Sequence, residues 1–152
     1  MSYYFEDPEK QARLKTILES WVGTPYRHAS CVKGLGCDCI HFVIGVFKEF
    51  GIVKIDLKKI PNYPRDWHLH NTRELLSESI EKMDHGVSVT KVGVDNPVNG
   101  DIILSHYGKA ASHAAIFFDD YIYQSIANIG VCKISFSDKV FRKQMKFAYR
   151  IL

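Results

Sequence analysis

The spacing of apolar residues changes once along this 152-residue chain, near Gly86. Before that point, apolar residues recur every three or four positions, which is typical of helices. After it, short β-type runs are separated by turn residues, which indicates strands. This order predicts an α+β domain whose N-terminal helices pack on a C-terminal antiparallel sheet of about five strands. Since the chain contains neither a repeat nor a linker, residues 1–152 are expected to form one domain.

Three helices are predicted before the change of spacing. The first follows Asp7, which can cap it, and the second begins at residues 38–39 and ends before Gly51. A third, amphipathic helix is predicted over residues 72–83, after a proline-containing loop at residues 59–71. The predicted strand segments are VSVTKVGV, DIILSHY, SHAAIFF, YIYQSI, GVCKISF and KFAYRIL.

The composition is that of a globular protein, with 46% hydrophobic and 24% charged residues. The net charge is only +3 and the 20 basic residues are scattered, so no nucleic-acid partner is indicated. No apolar run approaches the roughly 20 residues needed to cross a bilayer. The N-terminal residues resemble no secretory signal, so we expect synthesis in a reducing cytoplasm, where the four cysteines would be thiols.

The segment GLGCDCIHF places Cys39 at the start of a largely apolar helix, directly after Asp38. Unpaired N–H groups and the partial positive charge at a helix N-terminus favour a thiolate, so a lowered pKa is expected for Cys39. The same N–H groups can stabilise an oxyanion. A lone cysteine is more often a small buried side chain, but the glycine-rich approach and the preceding acid favour a nucleophile.

A nucleophilic thiol needs a base, and His113 in ASHAAIFF is the candidate. The segment FFDDYIY predicts a tight hairpin with Asp119 and Asp120 in the turn. Such a hairpin brings Gln124 across the ladder to within one residue of direct register with His113. The side-chain amide could then hold one ring nitrogen of His113 while the other faces the thiol. A histidine that only satisfies the core is the alternative.

Other uses of the cysteines remain open. His28, Cys31, Cys37, Cys39 and His41 could in principle bind zinc, but the spacing C-x5-C-x-C lacks the usual C-x2-4-C pair. We therefore expect no metal site. Cys37 is the second candidate for the nucleophile, although it precedes the helix. In the proline-containing loop, Trp67 is the aromatic residue most suited to contact a substrate.

Two stretches, WVGTPYRHASCVKGLGCDCIHFVIGVFKEFG and NGDIILSHYGKAASHAAIFFDDYIYQS, resemble the NlpC family of papain-like cell-wall cysteine peptidases. The resemblance covers about residues 12–152 and is strongest to the branch associated with phage tails and gene-transfer agents. It implies that Cys39 is the nucleophile, that His113 is the base, and that Gln124 occupies a position usually held by histidine. Tyr26 matches a tyrosine that shapes the oxyanion site, and Asp38 matches the acid before the nucleophile.

This resemblance implies a peptidase that hydrolyses amide bonds in peptidoglycan stem peptides, by default the bond between D-glutamate and the diamino acid. No metal or organic cofactor is implied. Ile40 and His41 depart from the small residue and glycine that usually follow the nucleophile, and Gln124 is a second departure. The alternatives are a thiol-dependent amidase or acyltransferase and a non-catalytic wall-binding module of a phage tail. The expected partners are a stem peptide and phage tail components, with a phage-like particle carrying the protein from the cytoplasm to the wall.

Overall fold

The computed structural model describes residues 3–52, 89–107 and 110–152. The predicted loop at residues 59–71, with Trp67, and the predicted helix at residues 72–83 lie outside the described residues. Two of the predicted helices fall inside them. None of the described helices is long and apolar enough to cross a membrane.

Helix α1 spans Pro8–Trp21 and helix α2 spans Cys39–Phe50. Both begin as predicted, after an aspartate whose side chain accepts a backbone hydrogen bond, Asp7 for α1 and Asp38 for α2. Helix α2 ends at Gly51, whose φ of 102° is a left-handed conformation that glycine adopts without steric cost. Nearly every residue of α2 is buried, because the sheet and α1 pack against it.

The strands of the described residues are β1 Cys31–Val32, β2 Gly36–Cys37, β3 Val89–Val92, β4 Ile102–Tyr107, β5 Ala110–Phe118, β6 Tyr121–Ile126, β7 Gly130–Ser135 and β8 Met145–Ile151. Six of them form the main antiparallel sheet, in the order β3-β8-β4-β5-β6-β7. The sheet therefore contains one strand more than the predicted five, and β3 comes from the alternating segment VSVTKVGV. The α+β class and the packing of helices on an antiparallel sheet are confirmed.

Among the described elements, a short hairpin and a short α-helix were not predicted from the sequence. Strands β1 and β2 form a two-stranded hairpin where only a glycine-bearing loop was expected. Helix α3, Lys139–Gln144, is capped by Asp138, whose side chain accepts from the backbone N–H of Phe141. A strand of two residues is too short to show alternation, and a helix of six residues is too short to show a helical period.

Apolar side chains cover both faces of the main sheet. One face shares a buried cluster with the two long helices, which includes Leu18 of α1, Phe42 of α2 and Ile116 of β5. The other face carries a second cluster with Phe117 and with Phe141 of α3. The sheet is thus a central layer, and α2 lies against one side of it with its N-terminus directed toward β5 and β6.

Candidate active site

Cys39 is the first residue of α2, and Asp38 fixes the start of that helix. The Asp38 side chain accepts from the backbone N–H of His41 at 2.9 Å and from the backbone N–H of Ala29 at 2.7 Å. Its Oδ1 also lies 2.8 Å from Nδ1 of His41. With 1% exposure, Asp38 is buried among these partners. This geometry favours a positioning role for Asp38 rather than contact with a substrate.

The sulfur of Cys39 lies at a point where two strands separate. Strands β5 and β6 pair through a tight turn at Asp119 and Asp120 as predicted, but their ladder ends at Ile116 opposite Tyr123. Strand β5 itself begins six residues earlier, at Ala110. In the described part of the chain, residues 110–115 of β5 have no backbone partner on β6, and the N-terminus of α2 lies beside this stretch.

The backbone N–H of Ala114 lies in this stretch of β5. Phe117 exchanges backbone hydrogen bonds with Gly100 and Asp101 on the β4 side, so the alternation of an antiparallel ladder directs Ala114 toward the β6 side. There its N–H interacts with the Cys39 sulfur. The peptide unit between His113 and Ala114 thus lies directly beside the thiol.

His113 and Gln124 are hydrogen-bonded, with 2.7 Å between Nε2 of the ring and Oε1 of the amide. Continuing the β5–β6 register places Gln124 opposite Ala115, which is two residues from His113 rather than within one. Diagonal neighbours on one face of a sheet are still within reach of long side chains. The predicted contact is therefore present, although the predicted register was off by one residue.

Burial dominates the electrostatics of both groups. Burial and, to a smaller extent, the nearby Asp38 carboxylate raise the pKa of the Cys39 thiol to about 12. The N–H groups of Ala114, Ile40 and Cys39 act in the opposite direction and do not outweigh it. Burial also lowers the pKa of His113, while the hydrogen bond to Gln124 raises it. These shifts favour a neutral thiol and a neutral imidazole at rest, so the expectation of a lowered pKa for Cys39 was wrong.

The remaining predicted site residues are placed as follows. Tyr26 is half-buried and forms an isolated parallel bridge with Cys37, two residues before the thiol. Cys37 is buried, and its sulfur lies 3.8 Å from Oγ of Ser125. The Ser125 hydroxyl in turn donates to the Cys37 carbonyl at 2.8 Å. Trp67 lies outside the described residues, and its role stays a prediction.

The cysteine and histidine side chains near Cys39 are directed to different partners. Cys31 donates to the backbone carbonyl of His41, and the ring of His41 pairs with Asp38. Among residues 3–52, 89–107 and 110–152, no group of three or more His, Cys, Asp or Glu side chains could hold a metal ion. The described geometry therefore gives no support to the zinc alternative.

The sequence did not draw attention to Ser105, which is the direct partner of His113 on β4. The pairing of β4 with β8 changes register between Leu104 and Ser105, and its pairing with β5 changes register between Ser105 and His106. The Ser105 hydroxyl is buried and has no hydrogen-bond partner among the residues that the structure describes. A single serine in an apolar strand carries no signal that would identify such a position.

No family model and no curated protein matches the chain. Solved structures do. An NLP/P60-family protein similar to a lipoprotein, from Staphylococcus aureus subsp. aureus Mu50, superposes with a TM-score of 0.66 at 16% identity, covering 100% of this chain and 44% of that one. An NlpC/P60-family protein from Bacillus cereus ATCC 10987 gives 0.61 at 22% identity, covering 91% and 39%.

The NlpC/p60 domain of the peptidoglycan hydrolase SagA gives a TM-score of 0.60 at 17% identity, covering 91% of this chain and 96% of that domain. The fold is that of the NlpC/P60 proteins. This chain spans less than half of the length of the Staphylococcus and Bacillus proteins and nearly all of the SagA domain. The resemblance noted in the motifs around Cys39 and His113 thus extends to the whole described fold.

Proposed function

We propose that this protein is a cysteine peptidase that hydrolyses amide bonds in peptidoglycan stem peptides. One observation carries the proposal: the Cys39 thiol lies at a helix N-terminus beside the His113–Ala114 peptide unit, and His113 is held by Gln124. The NlpC/P60 fold, shared with a domain of a peptidoglycan hydrolase, supports the substrate class.

The hydrogen bond to Gln124 defines which nitrogen of His113 can act as a base. An amide oxygen only accepts, so Nε2 carries the hydrogen and donates it to Oε1. In the neutral ring the lone pair is then on Nδ1, which is the nitrogen available to the thiol. Because the resting pair is neutral, Nδ1 takes the Cys39 proton as the sulfur attacks, rather than before the substrate binds.

The reaction then follows the acyl-enzyme route. The Cys39 sulfur forms a bond to the amide carbonyl carbon, and the backbone N–H of Cys39, together with Tyr26, stabilises the oxyanion. The protonated His113 returns its proton to the leaving amine as the C–N bond breaks. Water, deprotonated by His113, hydrolyses the thioester and regenerates the thiol. We assign Asp38 to positioning the helix and Trp67 to contact with the peptide.

By its resemblance to the NlpC family, the default bond is that between D-glutamate and the diamino acid. The same resemblance suggests an enzyme that is made in the cytoplasm and reaches the wall on a phage-like particle, with tail components as partners.

Digestion of purified muropeptides tests the proposal. Products are separated by liquid chromatography and identified by mass for wild type, Cys39→Ala, His113→Ala and the control Cys132→Ser. We expect hydrolysis by wild type and the control, and a loss of about 10²-fold or more in each site variant. Products that carry an added amine acceptor would instead indicate an acyltransferase. Binding of intact muropeptides without any product would identify a wall-binding module and overturn the proposal.

A further inference from the structure

Cys31 and Cys37 face each other directly across the β1–β2 hairpin. The backbone N–H of Cys37 donates to the carbonyl of Pro25 at 3.0 Å, and its carbonyl accepts from the N–H of Arg27 at 3.1 Å. Both backbone groups of Cys37 therefore point away from β1. In an antiparallel ladder this identifies the pair as non-hydrogen-bonded, the type in which Cα atoms are about 4.5 Å apart and side chains are closest.

The two sulfurs lie on the same face of this hairpin. Cys31 Sγ is 3.3 Å from the carbonyl of His41, and Cys37 Sγ is 3.8 Å from Oγ of Ser125. Their thiols are close enough that a charge on Cys31 raises the pKa of Cys37. Disulfides span Cα separations of about 4.4–6.8 Å, a range that a non-hydrogen-bonded pair meets without movement of the strands.

The other two cysteines are directed elsewhere. The sulfur of Cys39 lies against the N–H of Ala114 on β5, and Cys132 is on β7, where it pairs with Gln124 on β6. All four are thiols in this structure. Although Cys37 is only two residues from Cys39 along the chain, its cross-strand partner is Cys31.

We propose that Cys31 and Cys37 are a redox-active pair that forms a disulfide when the protein meets a small-molecule disulfide oxidant, while Cys39 stays a thiol. The more exposed Cys31 reacts first. Its thiolate attacks one sulfur of the oxidant, which breaks the oxidant's S–S bond and releases one thiol. The Cys37 thiolate then attacks the Cys31 sulfur of this mixed disulfide and releases the second thiol. Two protein thiols are oxidised, one oxidant disulfide is reduced, and the two protons go to the released thiols.

This bond would close the hairpin immediately before Asp38 and Cys39. It would also consume Cys37, the thiol nearest in sequence to Cys39, and so remove a competitor for disulfide formation with the candidate nucleophile. The inference rests on the hairpin geometry alone and does not depend on peptidase activity.

The test uses the full chain, first reduced and then incubated with oxidised glutathione. Remaining thiols are alkylated under denaturing conditions, and intact mass and peptide mapping locate the bond. Before alkylation we expect the intact mass to be about 2 Da below that of the reduced protein, because two thiol hydrogens are lost; mapping should then give a Cys31–Cys37 linked peptide and alkylation at Cys39 and Cys132. Cys132→Ser is the matched control and should form the same bond, whereas Cys31→Ser should form none.

A linked peptide that joins Cys37 to Cys39 would overturn the proposal, and so would one that joins Cys37 or Cys39 to Cys132. So would glutathione adducts without an internal bond, or four alkylated cysteines after oxidation. The map of the wild-type protein decides these outcomes even where a variant folds poorly, and circular dichroism identifies such a variant.

Discussion

Two histidines near the thiol differ in what holds them. His41 is buried within α2, and its Nδ1 lies 2.8 Å from a carboxylate oxygen of Asp38. His113 is on β5, and its Nε2 lies 2.7 Å from the neutral amide oxygen of Gln124. Asp38 also caps α2, so its pairing ties the His41 ring to the start of that helix, whereas the amide of Gln124 orients the ring of His113. The partner, not the residue type, separates a histidine that supports a helix cap from one suited to proton transfer.

Removing each ring should separate the two roles. For His113→Ala we expect hydrolysis of muropeptides to fall by about 10²–10⁴-fold, because the proton acceptor is lost. For His41→Asn we expect less than about tenfold loss of hydrolysis but a fall of about 1–3 kcal/mol in the free energy of unfolding, since a buried hydrogen bond is broken. Turnover assays and urea denaturation measure both quantities. Equal losses of activity would contradict the assignment.

The two aspartate caps provide a second contrast. Asp38 is buried and accepts from the backbone of Ala29 and His41 and from the His41 ring, whereas exposed Asp7 accepts from Glu9 N–H at 2.9 Å. We expect Asp38→Ala to lower the free energy of unfolding by about 2–4 kcal/mol, because the buried donors lose their acceptor.

Asp7→Ala, the matched control at the start of α1, should cost about 0.5–2 kcal/mol. Chemical denaturation of both variants checks the difference. If the two substitutions cost the same, the hydrogen bonds of Asp38 do not stabilise the start of α2 more than an ordinary cap does.

Local signals in the sequence predicted the start and end of α2 and the hairpin that joins His113 to Gln124. A capping aspartate, a terminal glycine and a two-residue turn act over a few residues, so their consequences can be predicted locally. The pKa of Cys39 could not be predicted in this way. Its rise comes from burial against β5, some 75 residues later in the chain, and burial outweighs the local effect of the helix N-terminus.

Contacts between distant segments were missed for the same reason. Ser125 donates to the Cys37 carbonyl across 88 residues of sequence, and nothing in either segment marks that contact. The cross-strand pairing of Cys31 and Cys37 was also missed, since strands of two residues produce no alternation. The missed contacts therefore concern the residues around the candidate site, whereas the candidate catalytic residues themselves were identified from the sequence.

The pH dependence of stability should reveal the lowered pKa of His113. Its pKa is lowered in the folded protein, so below its unfolded value of about 6.5 the unfolded chain binds more protons than the folded one. The contribution of His113 to stability is therefore full above that pH and is lost as the pH falls through the folded pKa. We expect His113→Gln to remove up to about 1.4 kcal/mol per pH unit from the slope of unfolding free energy in this window. If the unfolding free energies of the variant and the wild type change in parallel with pH, His113 does not have a lowered pKa in the folded protein.

The smallest expected effect concerns the strand partner of His113. The buried Ser105 hydroxyl has no hydrogen-bond partner within the described part of the chain, whereas the buried hydroxyl of Ser125 donates to a carbonyl at 2.8 Å. Ser105→Ala removes an unsatisfied polar group and should raise the free energy of unfolding by up to about 1 kcal/mol, while Ser125→Ala should lower it by about 1 kcal/mol. Thermal and urea denaturation of the two variants measure the opposite signs. A loss of stability in both would mean that Ser105 has a partner in solution. A stable Ser105→Ala protein with reduced turnover would instead show that the site around His113 includes Ser105 on β4. The surroundings of His113 would then differ from those of Asp38, whose side chain is held by hydrogen bonds.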